Sequence, residues 1–137
     1  MATRSFIARY NPETEMYDSI YCHWDGYPTG VGLTLRDHYN TDEKVQFLLE
    51  QGDISSLRES VVETVESSYR TRGDTDVDAR TFKSMHEMEE YYRSMWCEYG
   101  YMWHDGKWNC YGLTINTINL YDLFIRVENR NHEVENV

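Results

Sequence analysis

The chain has 137 residues, of which 40% are hydrophobic and 15% are aromatic, including 12 Tyr and 4 Trp. That length predicts one domain spanning 1–137, in which bulky amphipathic rings supply much of the core. Thirteen Lys and Arg against 24 Asp and Glu give a formal net charge of −11, which repels phosphates and excludes direct non-specific nucleic-acid binding. No apolar run approaches the roughly 20 residues that span a bilayer, and the first residues lack an apolar signal region, so we expect a cytosolic protein without membrane contact. The 3 scattered cysteines are typical of reduced thiols.

The N-terminal third predicts a hairpin followed by two short helices. Strands are expected over 5–10 and 17–24, because the intervening Asn-Pro-Glu-Thr-Glu is rich in turn formers. After Gly32, apolar residues at three-to-four spacing predict the first helix. Thr41 is the expected N-cap of the second helix, and Gly52 is expected to end it as a C-cap.

The middle of the chain carries weaker signals. Residues 54–71 fit either a helix or a strand, and we expect a strand in their second half. Residues 72–78 are polar and predict a loop. In 79–98, Phe, Met, Tyr and Trp recur at three-to-four spacing with charged residues largely opposite, which predicts one long helix.

The C-terminal third predicts a second hairpin. Strands over 99–104 and 107–111 flank an Asp-Gly dipeptide, which favours a tight hairpin turn. Four aromatic side chains are expected to pair across these strands: Tyr101, Trp103, Trp108 and Tyr111. Residues 113–127 fit a strand or a helix, and the polar residues 128–137 are expected to fray. The order of elements predicts an α+β fold, a small antiparallel sheet with N-terminal and C-terminal hairpins packed against about three helices.

The most concentrated chemistry lies in residues 21–28, which hold three aromatic rings, a thiol, an imidazole, a carboxylate and a Gly/Pro turn pair. The segment connects a predicted strand to a predicted helix, and binding residues gather at such corners because a rigid element positions them while the loop stays accessible. On a strand, Cys22 and Trp24 share one face, and His23 and Asp25 share the other. We therefore expect Cys22 and Trp24 to be buried, and Asp25 to accept hydrogen bonds from backbone amides of the turn.

A resemblance to a known family begins in the same segment. The chain is similar to small phage and prophage proteins with a YCHWDGYP-x-x-VG signature, here Ile20-Tyr21-Cys22-His23-Trp24-Asp25-Gly26-Tyr27-Pro28, Gly30-Val31-Gly32 and His38-Tyr39-Asn40. The similarity continues through Lys44-Val45, Leu48-Leu49, Gly52-Asp53 and Ser55-Ser56-Leu57, and it is looser at 101–108. It implies a phage-encoded accessory protein that acts in the cytoplasm of a host bacterium, and it implies no catalytic residue.

Catalytic and metal-binding arrangements find little support in the sequence. Cys22 and His23 are adjacent, so on a strand they point to opposite faces and cannot form a thiol–imidazole pair. Zinc sites are usually marked by Cys-x-x-Cys or by spaced His pairs, and neither pattern occurs. We expect no catalytic residue, no metal and no cofactor, which favours a non-enzymatic role without excluding an enzyme.

The charge balance favours a basic partner protein. Carboxylates crowd the middle of the chain, and such an array could occupy the basic groove of a nucleic-acid-binding defence enzyme, with aromatic and Met side chains supplying contact area. We therefore predict an anti-defence inhibitor of a host protein, and a homo-oligomer stays open. The expected binding residues are His23, Trp24, Asp25, Tyr27, Glu63, Glu66, Asp74, Asp76, Asp78, Glu87 and Glu90.

Two alternatives stay open beside that prediction. A small nucleotide-like signal molecule could bind at the corner over 21–32, stacked on Trp24 and Tyr27 and held by backbone amides at the start of a helix. Alternatively, the acidic residues only coat a solvated face and keep a small protein soluble.

Overall fold

The computed structural model describes residues 2–113 and shows five strands and four α-helices within them. The strands are β1 (Arg4–Asn11), β2 (Met16–Cys22), β3 (Arg80–Phe82), β4 (Cys97–His104) and β5 (Lys107–Gly112). A single π-helical turn (Pro28–Gly32) leads into α1 (Leu33–His38), and α2 (Asp42–Glu50), α3 (Val61–Glu66) and α4 (Met85–Ser94) follow. The predictions for 114–127 and 128–137 lie outside the described residues.

The described strands form one sheet in the order β3-β2-β1-β4-β5. The predicted α+β class and both hairpins are confirmed, β1 with β2 and β4 with β5. The β1–β4 pairing is parallel, so the sheet is mixed and not purely antiparallel as predicted. Because β3 is antiparallel to β2 and β2 to β1, β3 and β4 run the same way, and α4 connects them as parallel strands require.

The predicted long helix over 79–98 is wrong at both ends. Its first residues form β3, which pairs with β2 in the register Tyr17↔Phe82, and its last residues belong to β4. The helical spacing holds only in α4, where the Ser84 hydroxyl accepts from the Glu87 amide at 3.1 Å and fixes the start. Tertiary pairing with β2 therefore overrides the local pattern before Ser84.

The strand predicted in the second half of 54–71 is also wrong. The residues form α3, where the Ser60 hydroxyl accepts from the Glu63 amide at 3.2 Å, and Ser68 makes only an isolated bridge to Ile54. A Ser followed three residues later by Glu is a capping pattern, and it decides this ambiguous segment for a helix.

The caps of α2 agree with the sequence. Thr41 is the N-cap, since its hydroxyl accepts from the Lys44 amide, and Gly52 follows the helix with a φ of 74°. A positive φ at this position is the usual role of glycine after a helix. Both predictions are confirmed.

Helices cover both faces of the sheet. One face packs Ile7, Ile20, Tyr101, Trp103 and Trp108 against buried residues of α1 and α2. The other face packs Phe6, Ala8, Tyr21 and Met102 against Met88 and Tyr92 of α4. In the described part of the chain, none of the helices has the length and apolar character needed to cross a membrane.

The two ends of the sheet differ in what they present. At the corner end, β1 and β4 begin and β2 finishes, so Arg4, Cys22 and Cys97 lie there. At the hairpin end, both tight turns connect their strands, after Asn11 and after His104. Trp103 and Trp108 pair across the second hairpin with centroids 5.4 Å apart, as predicted, whereas Tyr101 stands opposite Cys110 and Tyr111 opposite Gly100.

Candidate functional site

The backbone of the corner is fixed by hydrogen bonds to three distant segments. The Trp24 amide donates to the Ser55 carbonyl at 2.9 Å, and the Gly26 amide donates to the Thr3 carbonyl at 2.8 Å. The buried Tyr101 hydroxyl donates to the Gly26 carbonyl at 2.7 Å. The corner is therefore a rigid platform rather than a loose loop.

Close packing explains the glycines of this segment. A Cβ on Gly26 would lie 2.7 Å from the Thr3 carbonyl oxygen, and one on Gly30 would lie 2.4 Å from the Asp25 carbonyl oxygen. The Gly30 amide donates to Tyr27 and the Val31 amide donates to Asp25. These two amides are already satisfied, so neither is free to bind a phosphate of the nucleotide-like ligand.

The aromatic side chains of the corner point outward. Trp24 is 44% exposed and Tyr27 is 40% exposed, whereas Cys22 is fully buried. The prediction for Cys22 is confirmed and the prediction that Trp24 is buried is wrong. The strand ends at Cys22 and Asp25 adopts a φ of 58°, so the strand alternation does not extend to Trp24.

His23 is held as a neutral imidazole by its neighbours. The Tyr21 hydroxyl lies 2.7 Å from His23 Nδ1, and the Trp24 ring meets the imidazole edge-on with centroids 4.7 Å apart. Burial raises the pKa of Tyr21, while burial and the Arg4 charge lower the pKa of His23. Both shifts favour the neutral forms, and the imidazole tautomer decides whether the Tyr21 hydroxyl or His23 Nδ1 is the donor of this hydrogen bond.

Asp25 and Tyr27 form a second pair on this surface. The Tyr27 hydroxyl donates to the Asp25 carboxylate at 3.1 Å, where we expected backbone amides as donors. That hydrogen bond, with the carboxylate charge, raises the pKa of Tyr27. The pair orients the exposed Tyr27 ring beside the exposed Asp25 carboxylate.

Two further residues extend this surface and were missed by the sequence reasoning. Trp96 is 78% exposed, and its φ of 67° is unusual for so bulky a residue. It immediately precedes Cys97, the residue that pairs with Arg4 at the start of β1. Arg4 donates to the Met95 carbonyl at 3.3 Å, and its charge also acts on His23, so its guanidinium connects the Trp96 turn to the corner.

We call this set the corner surface: Arg4, His23, Trp24, Asp25, Tyr27 and Trp96. The sequence places Trp96 on the apolar stripe of a helix, and a left-handed backbone at a tryptophan has no sequence signal. Arg4 is connected to this surface by its hydrogen bond to Met95, which lies 91 positions away, so no local sequence pattern indicates it. The positive φ of Trp96 costs about 1–3 kcal/mol of stability, and such strain concentrates at functional positions. We therefore add Trp96 to the candidate binding residues.

The predicted acidic residues do not form one array. All are exposed, but Glu63 and Glu66 lie on α3 over one face of the sheet, while Glu87 and Glu90 lie on α4 over the other. Two of them are engaged locally, in ion pairs of Asp78 with Arg70 and of Glu90 with Arg93. Two more, Glu63 and Glu87, occupy the first turn of capped helices, where their charge favours the helix dipole.

Asp74 and Asp76 remain exposed in the loop after α3. Of the predicted binding residues, the structure brings together the four of the corner and distributes the seven acids around the molecule. The acids therefore act as a surrounding field and not as a single contact patch.

Thiol and metal chemistry find no support here. Cys22, Cys97 and Cys110 are buried and unpaired, and burial raises the pKa of each thiol to about 12. A thiol with that pKa holds almost no thiolate at neutral pH, so none of the three is an activated nucleophile. Across residues 2–113, no three His, Cys, Asp or Glu side chains are grouped as a metal site.

Comparison with known proteins adds no relative from which a role could be transferred. No protein-family model, curated protein or solved structure matches the chain. The resemblance to phage proteins accordingly stays a prediction, and the corner surface carries the functional interpretation.

Proposed function

We propose that this chain is a non-enzymatic binding protein that recognises a basic partner protein through the corner surface. The observation that carries the proposal is the exposure of Trp24, Tyr27 and Trp96 at one end of the sheet, on backbone that is tied down around them. Trp, Tyr and Arg are the residue types that dominate the binding energy of protein interfaces.

Rigidity supports recognition of a protein surface. The His23 side chain contacts both Tyr21 and Trp24, and Tyr27 is oriented by Asp25, so few rotamers remain to be lost on binding. Each immobilised side chain otherwise costs about 0.5–1.5 kcal/mol of binding free energy. A prearranged aromatic surface therefore keeps more of its contact energy as affinity.

The net charge of −11 supports a basic partner. Acidic residues spread around the molecule attract a positively charged protein over several ångströms and speed encounter, while the aromatic corner supplies short-range contacts. In this proposal, the acidic residues speed the encounter with the partner and the aromatic rings supply the binding contacts. The phage resemblance supports an encounter in the cytoplasm of a host bacterium, with a defence or nucleic-acid-binding protein as the target.

The test is a capture experiment from bacterial lysate with matched variants. The wild-type chain should retain a basic protein, and added salt should weaken capture because screening shortens the electrostatic field. Trp24→Ala and Trp96→Ala should each raise the Kd of the purified complex about 30-fold, which corresponds to a loss of roughly 2 kcal/mol of binding free energy. Phe47→Ala is the control, because Phe47 is an exposed ring on α2 outside the corner surface.

Circular dichroism would verify that all three variants stay folded. Equal binding by the Trp24, Trp96 and Phe47 variants would contradict the assignment of the corner surface. Capture of only acidic partners, or capture insensitive to salt, would contradict the electrostatic part of the proposal.

A further inference from the structure

A cleft of about 360 Å³ opens at the hairpin end of the sheet, opposite the corner surface. It lies between the β1–β2 turn, the start of α2 and the β4–β5 turn, and its walls include Arg9, Tyr10, Asp42, Gln46, Trp103 and His104. Ligand sites in proteins occupy about 300–1,000 Å³, so the cleft suits a small molecule.

Among residues 2–113, Arg9 supplies the only guanidinium or ammonium group in the cleft wall. Its side chain is half-buried, and within the described part of the chain it has no ion pair and no hydrogen bond. The carboxylate of Asp18, its cross-strand neighbour on β2, is engaged by the Thr81 hydroxyl at 2.9 Å. A guanidinium stays charged at any ordinary pH and presents parallel N–H groups that match a carboxylate, so Arg9 is suited to bind one.

The other charges of the cleft are negative. Glu13 and Asp105 stand exposed at its rim, and the Asp42 carboxylate accepts from Trp103 Nε1 at 2.6 Å. The cleft holds three carboxylates and one guanidinium, so its excess negative charge repels a polyanion such as a nucleotide, and a simple cation would leave Arg9 without a counter-charge. A ligand that carries one negative and one positive group satisfies both signs.

The remaining walls are aromatic and amide groups. The Tyr10 and His104 rings meet edge-to-face with centroids 4.7 Å apart, and Gln46 offers an amide donor and acceptor. Aromatic rings beside a small number of polar groups are common in small-molecule sites.

We propose that this cleft binds a free α-amino acid. The carboxylate of the ligand pairs with Arg9, and its ammonium group lies among the carboxylates of Asp42, Glu13 and Asp105. The site is independent of the corner surface, because the two lie at opposite ends of the sheet.

The test is an NMR titration with the twenty free L-α-amino acids, monitored at the indole N–H of Trp103. At least one amino acid should shift this signal saturably, since the indole bonds the same Asp42 carboxylate that faces the ligand. The N-acetyl and amide forms of that amino acid should fail to shift it, because each removes one of the two charges. Arg9→Gln should weaken binding at least tenfold, and Arg58→Gln, an exposed arginine outside the cleft wall, should leave binding unchanged.

Three results would overturn the proposal. They are no saturable shift with any amino acid, equal binding of the N-acetyl or amide form, and unchanged affinity in Arg9→Gln. Should Arg9→Gln fail to fold, Gln46→Ala on the exposed side of α2 replaces it, with weaker binding expected and unchanged affinity counting against the site. A shift produced equally by inorganic phosphate would also count against a zwitterion.

Discussion

Two segments of similar composition differ in how deeply their tryptophan side chains are buried. Residues 21–28 and 101–108 each combine Tyr, Trp, His and an Asp-Gly dipeptide. In the first segment Trp24 stands exposed, whereas in the second Trp103 and Trp108 are only 5% and 7% exposed. Residue types alone therefore do not decide whether an aromatic cluster becomes core or surface.

The difference arises from what the Asp-Gly dipeptide does in each place. Asp105 and Gly106 both have positive φ, 53° and 75°, which forms a tight turn and keeps β4 and β5 paired. Trp108 then faces inward and donates to the Tyr39 carbonyl at 2.9 Å. At the corner, only Asp25 has a positive φ, and β2 ends at Cys22, so the strand alternation that would direct the rings inward stops before Trp24.

The largest contrast is expected between the tryptophans themselves. Trp108→Ala removes a buried ring and a buried hydrogen bond, so it should lower the free energy of unfolding by about 3–5 kcal/mol. Trp24→Ala removes an exposed ring and should cost less than about 1 kcal/mol. Urea denaturation monitored by circular dichroism measures both, and a similar loss in the two variants would contradict the assigned burial.

The next contrast concerns carboxylates. Asp53 is buried, pairs with Arg80 at 2.8 Å and accepts from the Tyr21 amide at 2.9 Å, so it supports the corner from behind. Asp53→Asn should cost about 3 kcal/mol, because it leaves a partly buried guanidinium without its counter-charge. Asp42→Asn should cost about 1 kcal/mol, since Asp42 is exposed and its single bond to Trp103 can be retained by the amide. The same denaturation measurement compares them, and the reverse order would refute this account.

Glycine substitutions should destabilise the protein to different extents in the two turns. Gly26→Ala forces a Cβ to 2.7 Å from backbone and should cost about 2–3 kcal/mol through overpacking. A Cβ on Gly106 would have no atom within 4 Å, so Gly106→Ala should lower the free energy of unfolding only by the cost of a left-handed backbone, about 1 kcal/mol. Thermal unfolding would test the order, and a milder effect at Gly26 than at Gly106 would show that the corner is not closely packed.

A smaller effect is expected from titration of His23. The folded-state pKa is lowered, so the unfolded chain binds the proton more readily, and stability should fall as pH drops below the unfolded value of about 6.5. NMR titration should place the pKa of His23 below 6.5, and Arg4→Gln should raise it because it removes the nearby positive charge. A pKa of His23 above 6.5 would contradict the packing of Tyr21 and Arg4 around it.

The smallest effect is expected from thiol reagents. With pKa values raised to about 12 by burial, Cys22, Cys97 and Cys110 should resist labelling in the native protein at pH 8 and react only after denaturation. Mass spectrometry after iodoacetamide treatment measures this. Rapid labelling of Cys22 in the native protein would contradict its assigned burial and would indicate a reactive thiol at the corner.

Local signals in the sequence were sufficient for a large part of the fold. Both hairpins, the Thr41 cap and the Gly52 cap depend on residues within a few positions of each other, and all were predicted. The corner was also located from sequence alone, since it concentrates unusual residue types between a strand and a helix. The Ser60 cap had the same local signature and could have been used to predict α3.

Tertiary structure alone decided the rest. The parallel pairing of β1 with β4, the conversion of residues 80–82 into β3, and the outward direction of Trp24 all depend on distant partners. The contacts that shape the two candidate sites join residues far apart in sequence: Trp103 to Asp42 over 61 positions, Tyr101 to Gly26 over 75 and Arg4 to Met95 over 91. Such contacts form because burial and hydrogen bonding across the whole sheet outweigh local preference, and no short window of sequence contains both partners.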